Sequence, residues 1–571
     1  MTGRKNLLGN RKRLGELLIE KEVITQQQLK TALYHQRTTG KKLGEILVSQ
    51  NLISETKMAE VLQEQLGIPF VDLSRIKIDP KLTEFVPFML AKRHSIIPIK
   101  LEDGKLYIAM EDPLDFAAIE DVRRVSRMEV VPVISFGEAI RNTVNQLYSI
   151  DYAEKAVQDY SREIDRDQIS PEIKESPIGE TSNAPVVRLV NSIIEQAVNM
   201  QASDIHIEPM EQETVVRFRI DGMLQKILNI PQYMHPAVVT RIKIMGNMDI
   251  AERRLPQDGR VDMRIAERNI DMRISTIPTI HGEKVALRIL DQSNFLLPRE
   301  KLGFTEENLA KFDRLIKNPH GIILVTGPTG SGKSTTLYAM LNELNKESVN
   351  IITIEDPVEY RMEGINQIQV NTKAGLTFAA GLRSIVRQDP DIIMVGEIRD
   401  RETAEIAIRS AITGHLVLST LHTNDAVSAI SRLIDMGIEP YLISSSLVGV
   451  ISQRLLRKVC SNCKITCDTE HHQFAALGFE TKPNVQLYKG EGCSLCNYTG
   501  YRGRVPVHEI LIISNSHRQL IAKNASVDEI MDLSKKAGMI TLREECIKLM
   551  LKGLTTIDEV IRVSYTNDSF V

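Results

Sequence analysis

No apolar run in this 571-residue chain reaches the ~18 residues needed to cross a bilayer, and no apolar stretch of a secretory leader follows the basic N-terminus. The expectation is a cytoplasmic protein without a transmembrane span. A basic excess is also missing: 71 Lys and Arg against 74 Asp and Glu leave a net charge of −3, unlike proteins whose main task is to coat nucleic acid. No low-complexity tract occurs. Cysteine is scarce, at six, and a reducing compartment disfavours disulfides among them. The 42% hydrophobic and 25% charged residues read as a soluble globular chain, long enough for roughly three or four domains at ~100–200 residues each.

What is present starts with a repeat. Arg13-Leu-Gly-Glu-Leu-Leu recurs 29 residues later as Lys42-Leu-Gly-Glu-Ile-Leu, and each copy continues at helical spacing, to Leu29, Leu33 and Gln36 and to Met58, Leu62 and Gln65. Thr25 and Ser54 are placed to cap the second helix of each copy, so residues 10–66 read as two helical hairpins. Short β-branched runs (Ile96–Ile99, Leu106–Ala109, Val130–Ile134) make 67–150 a small α/β subdomain. Residues 151–180, with nine acidic and four basic side chains, read as a solvated linker. A helix over Val186–Met200 and period-two runs at Thr214–Ile220, Arg260–Ile265 and Asn269–Ser275 predict a half-buried sheet in 181–300. From about Gly303, strands Gly321–Thr326, Asn350–Glu355 and Asp391–Gly396 alternate with helices, the pattern of a mostly parallel sheet in 301–571.

Gly327, Pro328, Thr329, Gly330, Ser331, Gly332, Lys333, Ser334 and Thr335 form a phosphate-binding loop between a buried strand and a helix. Converging amides and Lys333 suit a triphosphate, and the Ser334 hydroxyl suits Mg²⁺. Two acidic strand ends follow: Glu355-Asp-Pro-Val-Glu359, and Asp391-Ile-Ile-Met-Val-Gly-Glu397, with Gly396 where many such enzymes carry aspartate. One carboxylate would act on water and another beside the metal; the plainer reading is that both merely end strands.

These segments, with Thr413-Gly-His415-Leu-Val-Leu-Ser-Thr-Leu-His422, resemble the Walker A, Asp box, Walker B and His box of the secretion ATPase superfamily. Within it the chain resembles the type II secretion and type IV pilus assembly ATPases from about Thr181 onward. The resemblance implies an α/β multidomain fold, with a RecA-like ATPase domain at 301–571 behind a PAS-like half at 181–300. It further implies Glu359 as catalytic base, Glu397 as magnesium-side acid, and His415 with His422 near the γ-phosphate. Read alone, each histidine would be an ordinary structural one. Pro256-Gln-Asp-Gly-Arg260, Asp271-Met-Arg273 and Val285-Ala-Leu-Arg288 match the family's arginine-bearing strands, implying that Arg273 and Arg288, then Arg260, sense the γ-phosphate. Their alternative is a surface salt bridge of about 0–1 kcal/mol.

Cys460, Cys463, Cys493 and Cys496 form two CxxC knuckles, whose four soft ligands suit a closed structural Zn²⁺ site in a module at about 455–505; four free thiols are the alternative. Gly492-Cys-Ser-Leu-Cys-Asn-Tyr-Thr-Gly resembles the tetracysteine module of the same ATPases, usual in extension members. Cys467 and Cys546 read as ordinary thiols.

Residues 1–45 hold ten basic and four acidic side chains, which favours an anionic ligand. The tandem resembles the cyclic di-GMP-binding N-terminal domain of MSHA pilus assembly ATPases. That likeness makes 1–150 regulatory and implies Arg13, Leu14, Gly15, Gln36, Leu43, Gly44, Gln65 and Asp112 as the ligand set. Lys42 departs from arginine, and Glu22 and Asn51 from glycine, so affinity is open. Hairpins docking on a membrane platform or partner protein are the alternative. The combined expectation is a homo-hexameric Mg-ATPase, peripheral to the inner membrane, driving a platform protein to assemble a type IV pilus. A type II secretion motor, a nucleic-acid translocase and a non-motor nucleotide sensor are its rivals, though no nucleic-acid partner is expected.

Overall fold

The computed structural model describes residues 14–564 apart from 40–42, 51, 54, 74–75, 77, 138, 145–146, 149–184, 266–267, 292–297 and 468–484. Arg13, Lys42, Asn51, Ser54 and the 151–180 linker therefore lie outside the described residues. Two compact units result, one of Met1–Val261, Met272–Ile289 and Cys493–Tyr498, the other of Asp262–Asp271, Leu290–Gly492 and Thr499–Val571.

In the first unit the repeat forms α1 (Leu14–Glu20), α2 (Gln26–Thr39), α3 (Leu43–Ser49) and α4 (Glu55–Leu66). Helix α1 packs on α4 and α2 on α3, so the two copies exchange partners around a shared core that includes Leu18, Ala32, Leu47 and Val61. Thr25 Oγ1 accepts the Gln28 amide at 3.2 Å while Gln28 Oε1 accepts the Thr25 amide at 2.8 Å, a reciprocal cap that starts α2. Glu22 turns with φ +55°, the left-handed region that favours glycine; a side chain there carries about 1 kcal/mol of strain.

The α/β subdomain pairs β1 (Ile96–Glu102) antiparallel and β3 (Glu129–Ile134) parallel to a central β2 (Lys105–Met110). Next comes a six-stranded sheet in the order β6-β5-β4-β9-β8-β7, where β4 is Asp204–Pro209, β5 Glu213–Ile220, β6 Met223–Pro231, β7 Gln257–Ile265, β8 Arg268–Thr279 and β9 Gly282–Asp291. Its alternation is strict in β5: Thr214, Val216, Phe218 and Ile220 point into the core, while Arg217 and Arg219 point out. That period-two register is what aims the basic side chains of this sheet away from its core.

The second unit carries a seven-stranded sheet in the order β12-β11-β13-β14-β10-β15-β18. Here β10 is Gly321–Thr326, β11 Ile351–Glu355, β12 Asn366–Gln369, β13 Ile392–Val395, β14 Leu416–Leu421, β15 Leu447–Val459 and β18 Tyr501–Ile512; a separate ribbon pairs β16 (Lys464–Cys467) with β17 (Leu487–Gly490). All pairs from β12 to β15 are parallel, and β18 closes the edge antiparallel to β15. Strands β10, β11, β13 and β14 are buried at every residue, because apolar cores cover both faces of the sheet; hence their richness in Ile, Leu and Val.

Candidate active site

In a parallel sheet all strands point the same way, so whatever follows their C-terminal ends gathers along one edge. Here four segments do so: the phosphate loop after β10, Asp356–Glu359 after β11, Gly396–Glu397 after β13 and His422 after β14.

The loop has a shape only glycine permits at two points. Gly327 has φ +143° and a Cβ on it would lie 2.4 Å from the Gln453 carbonyl; Gly332 has φ +90° and its Cβ would lie 2.8 Å from Gln453 Nε2. Gln453, on β15, thus forms the floor of the loop, and its Oε1 also accepts the Thr336 hydroxyl at 2.6 Å. Lys333 opens the following helix, Lys333–Leu344, and its Nζ donates to the carbonyls of Gly327 and Pro328 at 2.8 and 3.0 Å. Burial pushes its ammonium down to about 8, against the opposing pull of Glu397. A cationic amine, loop amides and a helix N-terminus in one cradle fit a polyphosphate.

Glu397 is mostly buried. Burial opposes its ionisation, but the ion pair with Arg399 and the contact with His422, whose Nε2 lies 3.4 Å from Oε2, outweigh it and hold the carboxyl below its usual range. A carboxylate kept ionised beside the phosphate cradle suits a magnesium-side acid. Gly396 also has a packing reason: its Cβ would meet the Glu355 Cα at 3.3 Å and the Ile354 carbonyl at 3.4 Å, a tight fit for any side chain.

Glu355 is buried and fully engaged. Tyr338 donates to Oε2 at 2.5 Å, and Thr353 and Gln367 donate to Oε1 at 2.7 and 3.2 Å. Burial pushes its carboxyl up, against the pull of these donors. Glu359, four residues on, is half-buried in the loop that follows.

The pairing of His415 with His422 at the γ-phosphate needs correction. Leu416 of β14 lies beside Gly321 and Leu421 beside Thr326, so His415 stands at the start of the strand, its carbonyl accepting the Gly321 amide at 3.1 Å. Six strand residues, about 20 Å, separate it from the phosphate-loop edge of its own subunit. Its Nδ1 lies 2.9 Å from the Ser410 carbonyl, which terminates the preceding helix. The motif is contiguous in sequence, but the strand inside it spans the sheet.

Beyond His422 the chain is pinned from β15 and β18. Arg454 Nη2 donates to Asn424 Oδ1 at 2.9 Å, and buried Glu509 accepts the amides of Ala426 and Leu542 at 2.8 and 3.1 Å. Gln453, Tyr338, Arg399, Arg454 and Glu509 were given no role from the sequence.

The three arginines belong to the first unit. Arg260 lies on β7 and is exposed; Arg273 lies half-buried on β8; Arg288 lies on β9 with its Nε 3.1 Å from Asp204 Oδ1. The Arg288 contact is the surface ion pair considered as its alternative.

The four knuckle cysteines converge, with all four Sγ atoms within 4.8 Å of one another. Cys493 and Cys496 Sγ are 3.7 Å apart, close to the ~3.8 Å edge of a tetrahedron with Zn–S of ~2.3 Å and far beyond a disulfide. Amides of Gly492 and Cys493 donate to Cys463 and Cys496 Sγ at 3.3 and 3.1 Å, as thiolate ligands require. The donor set fits zinc, which would hold the two knuckles together.

Of the candidate nucleotide-ligand residues near the N-terminus, Leu14 and Gly15 start α1, Leu43 and Gly44 start α3, and Gln36 and Gln65 lie on α2 and α4. Asp112 turns the chain after β2, its Oδ1 accepting the Leu114 amide at 3.0 Å.

Residues 179–562 match a family described as type II/IV secretion system protein, and residues 66–153 match the MshEN domain, which here is the α/β subdomain. The type IV pilus assembly ATPase PilB of Myxococcus xanthus is 41% identical over 556 residues, 96% of this chain and 98% of that one. The type II secretion system protein E of Xanthomonas campestris pv. campestris is 42% identical over 561 residues, 97% and 98% of the two chains. Among solved structures, the Yersinia pseudotuberculosis ATPase DotB shares the fold, with a TM-score of 0.51 and 19% identity over 69% of this chain and 97% of that one.

Proposed function

The chain belongs to the type II/IV secretion system protein family and is an ATPase, and from that premise we propose that it works as a homo-hexameric motor assembling a type IV pilus of the MSHA kind, switched on by cyclic di-GMP. The observation that carries the catalytic part is the meeting of the phosphate loop, Glu397, His422 and the Glu359 loop on one edge of the parallel sheet. Lys333 and the loop amides bind the triphosphate, with the Ser334 hydroxyl on the metal side. Magnesium, when bound with the nucleotide, supplies charge neutralisation at the phosphates. Glu359 accepts the proton of the attacking water, and Glu397 with His422 fixes the polar wall opposite Lys333. Arg273, Arg288 and Arg260, set on a separate unit, respond to the γ-phosphate when that unit closes, which gives the cycle its stroke. The zinc module braces the ATPase unit, and the platform protein at the inner membrane receives the motion from the cytoplasmic side. Among the described residues no helix is long and apolar enough to span a membrane.

Regulation by cyclic di-GMP draws support from the MshEN match and from the quasi-symmetric placing of Gly15 with Gln36 and Gly44 with Gln65. The secretion reading keeps equal standing on one point, a full-length relative at 42% identity named for type II secretion. Deleting the gene separates them: loss of surface pili supports assembly, loss of exported protein with pili intact supports secretion. For catalysis, Glu359→Gln in the full chain should lower steady phosphate release at least ~100-fold with nucleotide still bound. Calorimetry of the full chain with cyclic di-GMP, against Arg13→Ala, tests the switch; a flat trace for the parent removes it.

A further inference from the structure

We propose that Tyr338 is a positioning residue for hydrolysis, its hydroxyl tying the backbone of Glu359 to the helix that begins at the phosphate loop; this rests on the reading of Glu359 as base. Tyr338 lies five residues after Lys333 on that helix and is 1% exposed, packed in the core formed with Leu337, Met340 and Leu341. Phenylalanine would fill the same apolar space, so the hydroxyl is what needs explaining. It is used to capacity: it donates to Glu355 Oε2 at 2.5 Å and accepts the amides of Glu359 and Tyr360 at 3.1 and 3.4 Å.

The segment between β11 and β12 is held from both sides. Glu355 ends β11; on the far side Gln367 donates to the Tyr360 carbonyl at 2.9 Å and accepts the Met362 amide at 2.7 Å. Between these, the Glu359 amide donates to the Tyr338 hydroxyl. Glu355 in turn takes donors from Thr353 and Gln367, so an acid that faces no solvent orients the tyrosine hydroxyl rather than reacting. Burial and the adjoining Glu355 push the phenol up, so it stays a neutral donor. The helix that carries Lys333 therefore also sets where the base stands, and a shift of the phosphate loop is passed to Glu359 through one oxygen atom.

The test is Tyr338→Phe in the full-length chain, with Glu359→Gln and the double variant as partners. Removing the oxygen keeps the packing and the cradle, so kcat should fall ~10- to 100-fold with KM for ATP within about twofold, as for an atom misplaced by about 1 Å. In the Glu359→Gln background the same change should have no further effect, because there is no base left to misplace; a general structural defect would lower both backgrounds by the same factor. Should Tyr338→Phe fail to fold, Gln367→Met loosens the same loop from its other side and should show the same kcat loss with unchanged KM. A wild-type kcat in Tyr338→Phe, or an equal loss in both backgrounds, overturns the proposal. Full activity of Glu359→Gln would instead overturn the base assignment beneath it.

Discussion

Glu509 makes the stability of the ATPase unit depend on pH in an unusual direction. It is 2% exposed on β18, and burial pushes its carboxyl up to about 7 from an ordinary 4.5, against the pull of the Ala426 and Leu542 amides it accepts. A folded-state value above the unfolded one means that the folded protein holds this proton more tightly. Its contribution is therefore fully present below about pH 4.5 and is lost as pH rises through about 7. The whole shift corresponds to about 3 kcal/mol, of which about 2 kcal/mol falls between pH ~5.5 and ~8.5. Glutamine does not titrate and keeps one oxygen for an amide, at the loss of one hydrogen bond worth about 1 kcal/mol. Glu509→Gln should accordingly melt close to the parent near pH 5.5 and clearly above it near pH 8.5. Differential scanning calorimetry should read this on the transition that moves when nucleotide is added. The gap between the two melting temperatures should change by about 4–8 °C across that range. Curves that stay parallel at every pH would show that Glu509 does not titrate in this window, and the account of its burial would fail.

Two further outcomes follow from geometry already given. Gly332→Ala adds a Cβ 2.8 Å from Gln453 Nε2 at φ +90°, a strain of about 1–3 kcal/mol, so calorimetric ATP affinity should fall ~10-fold or more while zinc content stays at the parent level. Cys493→Ser removes one of four converging sulfurs, so metal analysis should find less than one zinc per chain, with a melting transition lowered by several kcal/mol of lost metal linkage; retention of a full equivalent would argue against the site.

Much of this architecture was legible because it is written in local chemistry. The runs of Ile, Leu and Val at Ile322–Val325 and Ile392–Val395 announce strands covered on both faces, and Thr25 followed by Gln28 announces a capped helix. Two of the four knuckle cysteines sit in each CxxC, so the meeting within each pair needed only a turn. What stayed hidden depends on partners remote in sequence. Gln453 lies more than a hundred residues from the loop it underlies, and no spacing rule marks it. Tyr338 and Glu355 are both buried, and only the fold reveals that one hydroxyl joins them to Glu359. His415 misled for the opposite reason: nearness along the chain says little when the intervening residues are an extended strand.

The longest strand among the described residues, β15, runs next to β10 as far as Val459, one residue short of the first knuckle, and β18 is hydrogen-bonded alongside it with a register shift between Arg457 and Val459. Gln453 beneath the phosphate cradle and Cys460 in the sulfur cluster thus share a single stiff beam, about 23 Å from one to the other at ~3.3 Å per residue. The cluster cannot be treated as a detachable ornament. Trimming it would remove one support from the end of that beam and leave the hold to the Arg457–Glu559 pair and the Leu554 carbonyl.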